Sequence, residues 1–113
     1  MSLDNAQNVL FRILADPTRR RILDLLAERG PLTVGEVAAE FPALVTSGIS
    51  KHLMALRAAG LVSATRRGRH QVYHINAGTL GDVMAAWLAK YEPYWSGALQ
   101  RLRDLAEHEL PPP

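Results

Sequence analysis

One stretch in the second half of the chain constrains the fold most, because a helical pattern is followed directly by two short strand patterns joined by a cationic turn. Residues 50–59 carry apolar side chains at helical spacing, and Gly60 ends the pattern. Residues 61–65 and 70–75 are rich in residue types that suit half-buried strands, and Gly68 supplies the turn between them. The stretch therefore predicts a helix and a β-hairpin, which must pack on other elements because two strands alone are only marginally stable.

Capping signals divide the first part of the chain into helices. Apolar residues at helical spacing predict the first helix over residues 4–14. The side chain of Asp16 is suited to accept hydrogen bonds from the free amides of a second helix, and a proline follows in the first helical turn, where no amide donor is needed. This second helix is predicted over residues 17–29, and Gly30 ends it.

Two further helices complete a helix-turn-helix pattern. Thr33 and Glu36 have the spacing of a capping box, which predicts a short third helix ending near Phe41. Thr46 or Ser47 is expected to cap a fourth helix that continues through the helical stretch described above. A helix, a turn and a second helix flanked by cations form the arrangement with which many proteins place a helix in the major groove of DNA.

The distribution of charge, rather than its total, indicates a polyanionic partner. A net charge of +2 is too small to predict nucleic-acid binding, but no Asp or Glu occurs from Phe41 to Gly81. On a helical wheel, the outward side of the fourth helix carries small and polar residues, which predicts base contacts there. The predicted DNA contacts are Ser47, Gly48, Ser50, Lys51 and His52 on the helix, with Arg66, Arg67, Arg69 and His70 at the hairpin turn.

The arginine run from Arg19 to Arg21 is expected on a solvated helix face. An ion pair with Asp24 or Glu28 would be the ordinary use of such a run, since residues three or four apart are neighbours on a helix. One of these arginines could instead reach the DNA backbone.

Several function classes are excluded or disfavoured by what the chain lacks. The absence of cysteine excludes disulfides and thiolate metal sites, and no secretory signal or membrane-spanning run is present, which predicts a cytoplasmic protein with no membrane partner. Ser50 and His52 point in different directions on one helix and cannot act as nucleophile and base. His70 and His74 lie about 13 Å apart along a strand, too far to share one metal ion. We therefore expect that the protein is not an enzyme and that it has neither a metal site nor a cofactor.

The C-terminal third is rich in aromatic and leucine residues that need a covering surface. One domain is predicted over residues 1–113, with a helix-turn-helix over about 33–59, a hairpin over about 61–76 and the last helices over about 79–108. Pro93 is expected to separate two of these helices. The residues predicted to form a dimer interface or a ligand pocket are Leu10, Trp87, Tyr91, Tyr94, Trp95, Leu99 and Leu102.

Three motifs in order resemble one family. They are ADPTRRRIL over residues 15–23, SKHL over residues 50–53 followed by AGLV over residues 59–62, and RGR over residues 67–69 leading to Tyr73. With these motifs the chain resembles the ArsR/SmtB-type winged helix-turn-helix repressors of bacteria. The resemblance implies a mainly α fold with a small β-hairpin (α+β) and about five or six helices. It also implies a homodimer formed by the first and last helices, which binds a pseudo-palindromic operator in double-stranded DNA until an effector lowers its affinity.

Departures from the family pattern bear on the signal to which such a repressor would respond. Many members bind metal through a Cys-x-Cys pair on the third helix, and Thr33 and Gly35 occupy those positions here. No histidine lies between Thr79 and Glu107, where others place ligands. The chain therefore resembles the cysteine-free, non-metal branch, with a small-molecule effector left open. The alternatives are a repressor responding to metal through histidine and carboxylate ligands, and a protein-interaction module without specific DNA binding.

Overall fold

The computed structural model describes residues 3–109 of the chain, and its side chains from Asn5 to His108. The predicted fold class is confirmed: helices predominate, and three short strands form one antiparallel sheet in the order β1-β3-β2. The elements are α1 (Leu3–Leu14), α2 (Pro17–Arg29), β1 (Leu32–Thr33), α3 (Val34–Ala38), α4 (Thr46–Ala58), β2 (Val62–Arg67), β3 (His70–Ile75), α5 (Ala77–Ala89) and α6 (Glu92–Glu109).

The chain forms two compact units, the first extending to Val83 and the second beginning at Met84. The first unit holds the core, because the side chains that are fully buried come from α2, α3, α4 and the start of the hairpin: Ile22, Leu26, Val37, Ile49, Leu53, Leu56, Leu61 and Val62. The second unit contains α6, whose described residues are mostly exposed. The extent of one functional domain over the whole chain stays a prediction.

The start of α2 follows the sequence closely. Oδ1 of Asp16 accepts hydrogen bonds from the amides of Thr18 at 2.8 Å and Arg19 at 3.2 Å, as predicted for an N-cap. At the other end Gly30 has a φ of +81°, a conformation that side-chain-bearing residues rarely adopt. Both predicted ends of the helix are confirmed.

The capping box of α3 is confirmed, but the helix is shorter than predicted. The Thr33 hydroxyl accepts from the amide of Glu36 at 3.2 Å, and the Glu36 carboxylate accepts from the amide of Thr33 at 3.0 Å. The helix ends at Ala38 and not near Phe41. The amides of Glu40 and Phe41 donate to carbonyls only three residues earlier, so the chain tightens into turns instead of continuing the α-helix.

The predicted cap of α4 is wrong. The residue at the cap is Val45, whose backbone is extended and whose side chain makes no capping hydrogen bond, so Thr46 is already the first helical residue. The helix ends at Ala58, and Gly60 follows with a φ of +78°. The amide of Leu61 then donates to the carbonyl of Leu56 at 3.0 Å, which satisfies an end group of the helix.

In the β2–β3 hairpin, which we call the wing, the first strand is longer and the turn is shorter than predicted. The strands pair from Val62 opposite Ile75 to Arg67 opposite His70, so the first strand ends at Arg67 and not at residue 65. Only two residues close the hairpin. The first of them is Gly68, with a φ of +60°, as this type of tight turn requires.

The sequence pattern missed the third strand, β1. Its two residues pair with β3, Leu32 opposite Tyr73 and Thr33 opposite Val72. A strand of two residues has no periodicity to detect, and its residues pair with residues 41 and 39 positions later in the chain. The strand fixes the wing against the start of α3, because Thr33 also caps that helix. Within the described part of the chain, no helix is both long enough and apolar enough to cross a membrane.

Candidate nucleic-acid interface

The buried side of α4 determines which of its residues face outward. Ile49, Leu53 and Leu56 have no solvent exposure and lie along one side of the helix. Three such side chains at spacings of four and three residues fix the rotation of the helix about its axis. The polar and small residues on the remaining surface are therefore held outward by core packing.

The predicted helix contacts lie on this outward surface. Ser47 and Lys51 are exposed, and Ser50 and Gly48 are half-buried. Met54 lies on the same side with 65% exposure, which is high for a large apolar side chain. No carboxylate occurs on α4. The surface offers hydroxyl and ammonium donors beside small residues, so it is chemically suited to a polyanion.

His52 differs from its neighbours because its ring is already engaged within the protein. Nδ1 of His52 accepts a hydrogen bond from Nε of Arg19 at 3.1 Å, and both side chains are half-buried. The sequence had suggested ion pairs of the arginine run with Asp24 or Glu28. The structure instead joins Arg19 to α4 and pairs another arginine of the helix, Arg29, with Glu40 at 2.7 Å.

Asp16 completes this connection at the start of α2. Desolvation by the surrounding chain works to raise the pKa of Asp16. The amides of Arg19 and Thr18 and the electrostatic effect of the nearby His52 and Arg19 side chains offset that effect, so the pKa lies below its ordinary value of 3.8. The carboxylate therefore stays ionised and keeps the end of the helix capped.

The wing carries its predicted residues at the turn. Arg66, Arg67, Arg69 and His70 are all exposed. Nε of Arg66 donates to the carbonyl of Gly68 at 3.2 Å, which stiffens the turn. The paired strands thus hold a group of cations away from the core, where packing does not require them.

Comparison with known proteins agrees with this geometry. A helix-turn-helix domain profile matches residues 14–63. The transcriptional repressor SdpR of Bacillus subtilis is 41% identical over 75 residues, covering 66% of this chain and 81% of SdpR. The crystal structure of an ArsR family transcriptional regulator has a TM-score of 0.71 at 33% identity, covering 82% of this chain and 93% of that chain. The chain belongs to the ArsR family of winged helix-turn-helix transcriptional regulators.

A further comparison concerns assembly. The solution structure of a homodimeric winged helix-turn-helix DNA-binding domain from Mycobacterium bovis has a TM-score of 0.63 at 30% identity, covering 80% of this chain and 82% of that chain. Membership of a family of transcriptional regulators also confirms that this ArsR-family protein is not an enzyme.

The residues predicted for a dimer interface or a pocket occupy two kinds of environment in this ArsR-family chain. Leu10 is buried in the first unit, where it lines an apolar cavity of about 160 Å³ with residues of α1, α5 and the end of α4. In the second unit, the rings of Trp87 and Tyr91 have centroids 5.2 Å apart, and Nε1 of Trp95 donates to the carbonyl of Leu88 at 3.1 Å. Tyr94, Leu99 and Leu102 are exposed by more than half. Among the described residues, no three His, Asp or Glu side chains are grouped so that they could hold a metal ion.

The lowered pKa of Asp16 predicts a pH-dependent contribution to stability. A depressed folded pKa means that the stabilisation is present above 3.8 and is lost as the pH falls through the folded pKa. Because Asn also caps helices, Asp16→Asn removes the charge and keeps a capping side chain. We expect the free energy of unfolding of this variant to be about 0.5 kcal/mol lower than that of the wild type at pH 7, the usual effect of a charge at a helix N-terminus.

Denaturant unfolding at one protein concentration, between pH 7 and pH 2.5, checks this expectation. The difference in the free energy of unfolding between Asp16→Asn and the wild type should vanish at pH 2.5. Asp24→Asn, which removes a carboxylate from the middle of the same helix, is the control. A difference for Asp16→Asn that stays constant down to pH 2.5 would contradict the assigned role of the charge.

Proposed function

We propose that this ArsR-family regulator is a homodimeric repressor that binds a pseudo-palindromic operator in double-stranded DNA. The observation that carries the proposal is the outward surface of α4, where donors and small residues are held by a buried stripe of Ile49, Leu53 and Leu56. The similarity to a protein named as a transcriptional repressor and to a homodimeric DNA-binding domain supports it. The cytoplasm, where bacterial chromosomal DNA lies, is its proposed place of action.

In this proposal α4 reads base edges and the wing contacts phosphates. The start of α4 enters the major groove, and two copies related by a two-fold axis read half-sites about 10 bp apart. The exposed wing arginines contribute affinity that depends on salt and not on sequence. The helix contacts are Ser47, Gly48, Ser50, Lys51 and His52, and the wing contacts are Arg66, Arg67, Arg69 and His70.

The absence of a side chain at Gly48 would allow DNA to approach α4 closely, independently of charge. A Cβ atom built at Gly48 would meet a methyl carbon of Val45 at 3.8 Å, an ordinary van der Waals distance. The fold therefore has room for alanine, and a glycine within a helix costs about 0.5–1 kcal/mol relative to alanine. Because no contact within the described part of the chain requires glycine at this position, we assign it to the space needed by an approaching DNA strand.

Replacement of Gly48 by alanine separates folding from DNA binding. We expect Gly48→Ala to fold at least as stably as the wild type, because it removes the flexibility of a helical glycine. Its affinity should fall roughly tenfold or more, the order of one lost base contact. The affinity is measured for the tightest duplex that the wild type selects from a random-sequence pool, called here the selected duplex.

Gly81→Ala is the matched control. Gly81 is also a helical glycine, and a Cβ atom there would meet nothing within 4 Å. The Gly81→Ala variant should keep wild-type affinity for the selected duplex. Wild-type affinity in Gly48→Ala would remove Gly48 from the proposed interface.

An apolar surface on α6 supports the proposed dimer. Leu99, Leu102 and Leu105 are 53%, 63% and 59% exposed, and their spacing of three residues places them along one side of the helix. Three adjacent exposed leucines are unusual on a surface that meets only water. In the proposed homodimer a second copy of the chain covers them.

A charge placed on this surface tests the dimer. We expect Leu102→Glu to lower the mass in solution from that of a dimer to the 12.5 kDa of one chain, since a carboxylate would be buried in an apolar interface. Sedimentation equilibrium measures the mass. Gln100→Glu, which adds the same charge on the opposite side of the helix, should stay dimeric. A dimeric Leu102→Glu protein with an intact helix signal in circular dichroism would place the interface elsewhere.

A further inference from the structure

A series of hydrogen bonds joins the start of α2 to α4. Oδ1 of Asp16 accepts from the amide of Arg19 at 3.2 Å, which fixes the first turn of α2. The Arg19 side chain then crosses to the neighbouring helix, where its Nε donates to Nδ1 of His52 at 3.1 Å. Arg19 and His52 are both half-buried, so solvent competes less with this bond than it does at an exposed site.

The chemistry of arginine fixes the state of the His52 ring. The Nε atom of a guanidinium always carries a hydrogen and never accepts one. Nδ1 of His52 must therefore present a lone pair to Arg19, and the proton of the neutral ring lies on Nε2. No hydrogen bond joins Nε2 to any residue whose side chain the structure describes. His52 thus has a free donor on a helix whose outward surface is assigned to DNA.

We propose that Arg19 is a positioning residue for operator recognition, which holds His52 so that Nε2–H donates to a hydrogen-bond acceptor on the DNA. The inference rests on the proposed function and adds the direction of one contact. It also gives Arg19 a role other than an ion pair or a phosphate contact. The positively charged side chain acts within the protein, through the ring that it orients.

The direction of the bond restricts what His52 can recognise. Purine N7, guanine O6, thymine O4 and phosphate oxygens all accept hydrogen bonds, whereas the amino groups of adenine and cytosine donate them. A ring with its proton on Nδ1 would present an acceptor to DNA and would favour those amino groups. By fixing the proton on Nε2, Arg19 selects acceptor atoms, either on base edges or on the backbone.

The proton position can be measured without DNA. Long-range ¹H–¹⁵N correlation spectra at neutral pH distinguish the two neutral forms of histidine. We expect the wild type to show His52 protonated on Nε2, and Arg19→Ala to show a mixture of the two forms. Arg21→Ala, which removes an exposed arginine from the same helix, should match the wild type. A wild-type ring protonated on Nδ1, or a spectrum unchanged in Arg19→Ala, would overturn the positioning role.

Affinity measurements test the consequence for DNA. We expect Arg19→Ala to weaken binding to the selected duplex by roughly threefold to tenfold, the range for one hydrogen bond. In a His52→Ala background the same substitution should have no effect, because the ring that Arg19 orients is gone. Equal losses in the two backgrounds would show that Arg19 acts without His52 and would overturn the proposal.

The dependence of affinity on salt separates positioning from direct contact. A phosphate contact would reduce the slope of log affinity against log salt by about 0.9 when it is lost. Arg19→Ala should leave the slope unchanged. Because a neutral ring releases no counterion, His52→Ala should also leave the slope unchanged. Loss of preference over a shuffled duplex then assigns the acceptor to a base edge, while equal weakening on the selected and shuffled duplexes assigns it to the backbone. A His52→Ala protein with wild-type affinity and preference would overturn the contact.

Conservative variants test the direction of the bond. His52→Gln places an amide donor at the distance of Nε2, whereas the shorter amide of His52→Asn reaches only the position of Nδ1, where its oxygen can accept from Arg19. We expect His52→Gln to bind the selected duplex more tightly than His52→Asn, and the reverse order would overturn the donor assignment. If the wild type selects no motif at all, the proposed function fails, and the spectra still decide whether Arg19 orients His52.

Discussion

The packing of one side of α4 into the core is the constraint on which the rest of this structure depends. Ile49, Leu53 and Leu56 are completely buried, and burial of each such side chain stabilises the fold by about 1.5–3 kcal/mol. A rotation of the helix would expose this stripe and bury polar residues such as Lys51. The surface proposed to contact DNA is therefore set by apolar residues that are buried on the other side of the helix.

The wing is attached to the same helix by hydrogen bonds at the helix end. The amide of Leu61 donates to the carbonyl of Leu56, and the amide of Asn76 donates to the carbonyl of Leu61 at 2.8 Å. Nδ2 of Asn76 also donates to the carbonyl of Gly60 at 3.3 Å and to the hydroxyl of Ser63 at 2.6 Å. Because both ends of the hairpin meet the end of α4, phosphate contacts at the wing would fix the position of the helix in the groove.

Local signals predicted most of the fold, and long-range contacts account for what they missed. The cap at Asp16 and the capping box at Thr33 depend on neighbours within three residues, so the sequence reveals them. The strand β1 could not be predicted because the strand with which it pairs, β3, is distant in the chain. The bond between Arg19 and His52 spans 33 positions, so no local signal in the sequence identifies these two residues as partners. The DNA contacts themselves stay predictions, since their partner is outside the chain.

The most direct test of the central claim, that the outward surface of α4 reads an operator, is selection of DNA from a random-sequence duplex pool by the purified protein. We expect enrichment of an inverted repeat whose half-site centres lie about 10 bp apart, the spacing of two helices related by a two-fold axis. The enriched duplex should be bound roughly a thousandfold more tightly than a shuffled one at physiological salt. Binding that enriches no motif and weakens equally with salt on every duplex would contradict it.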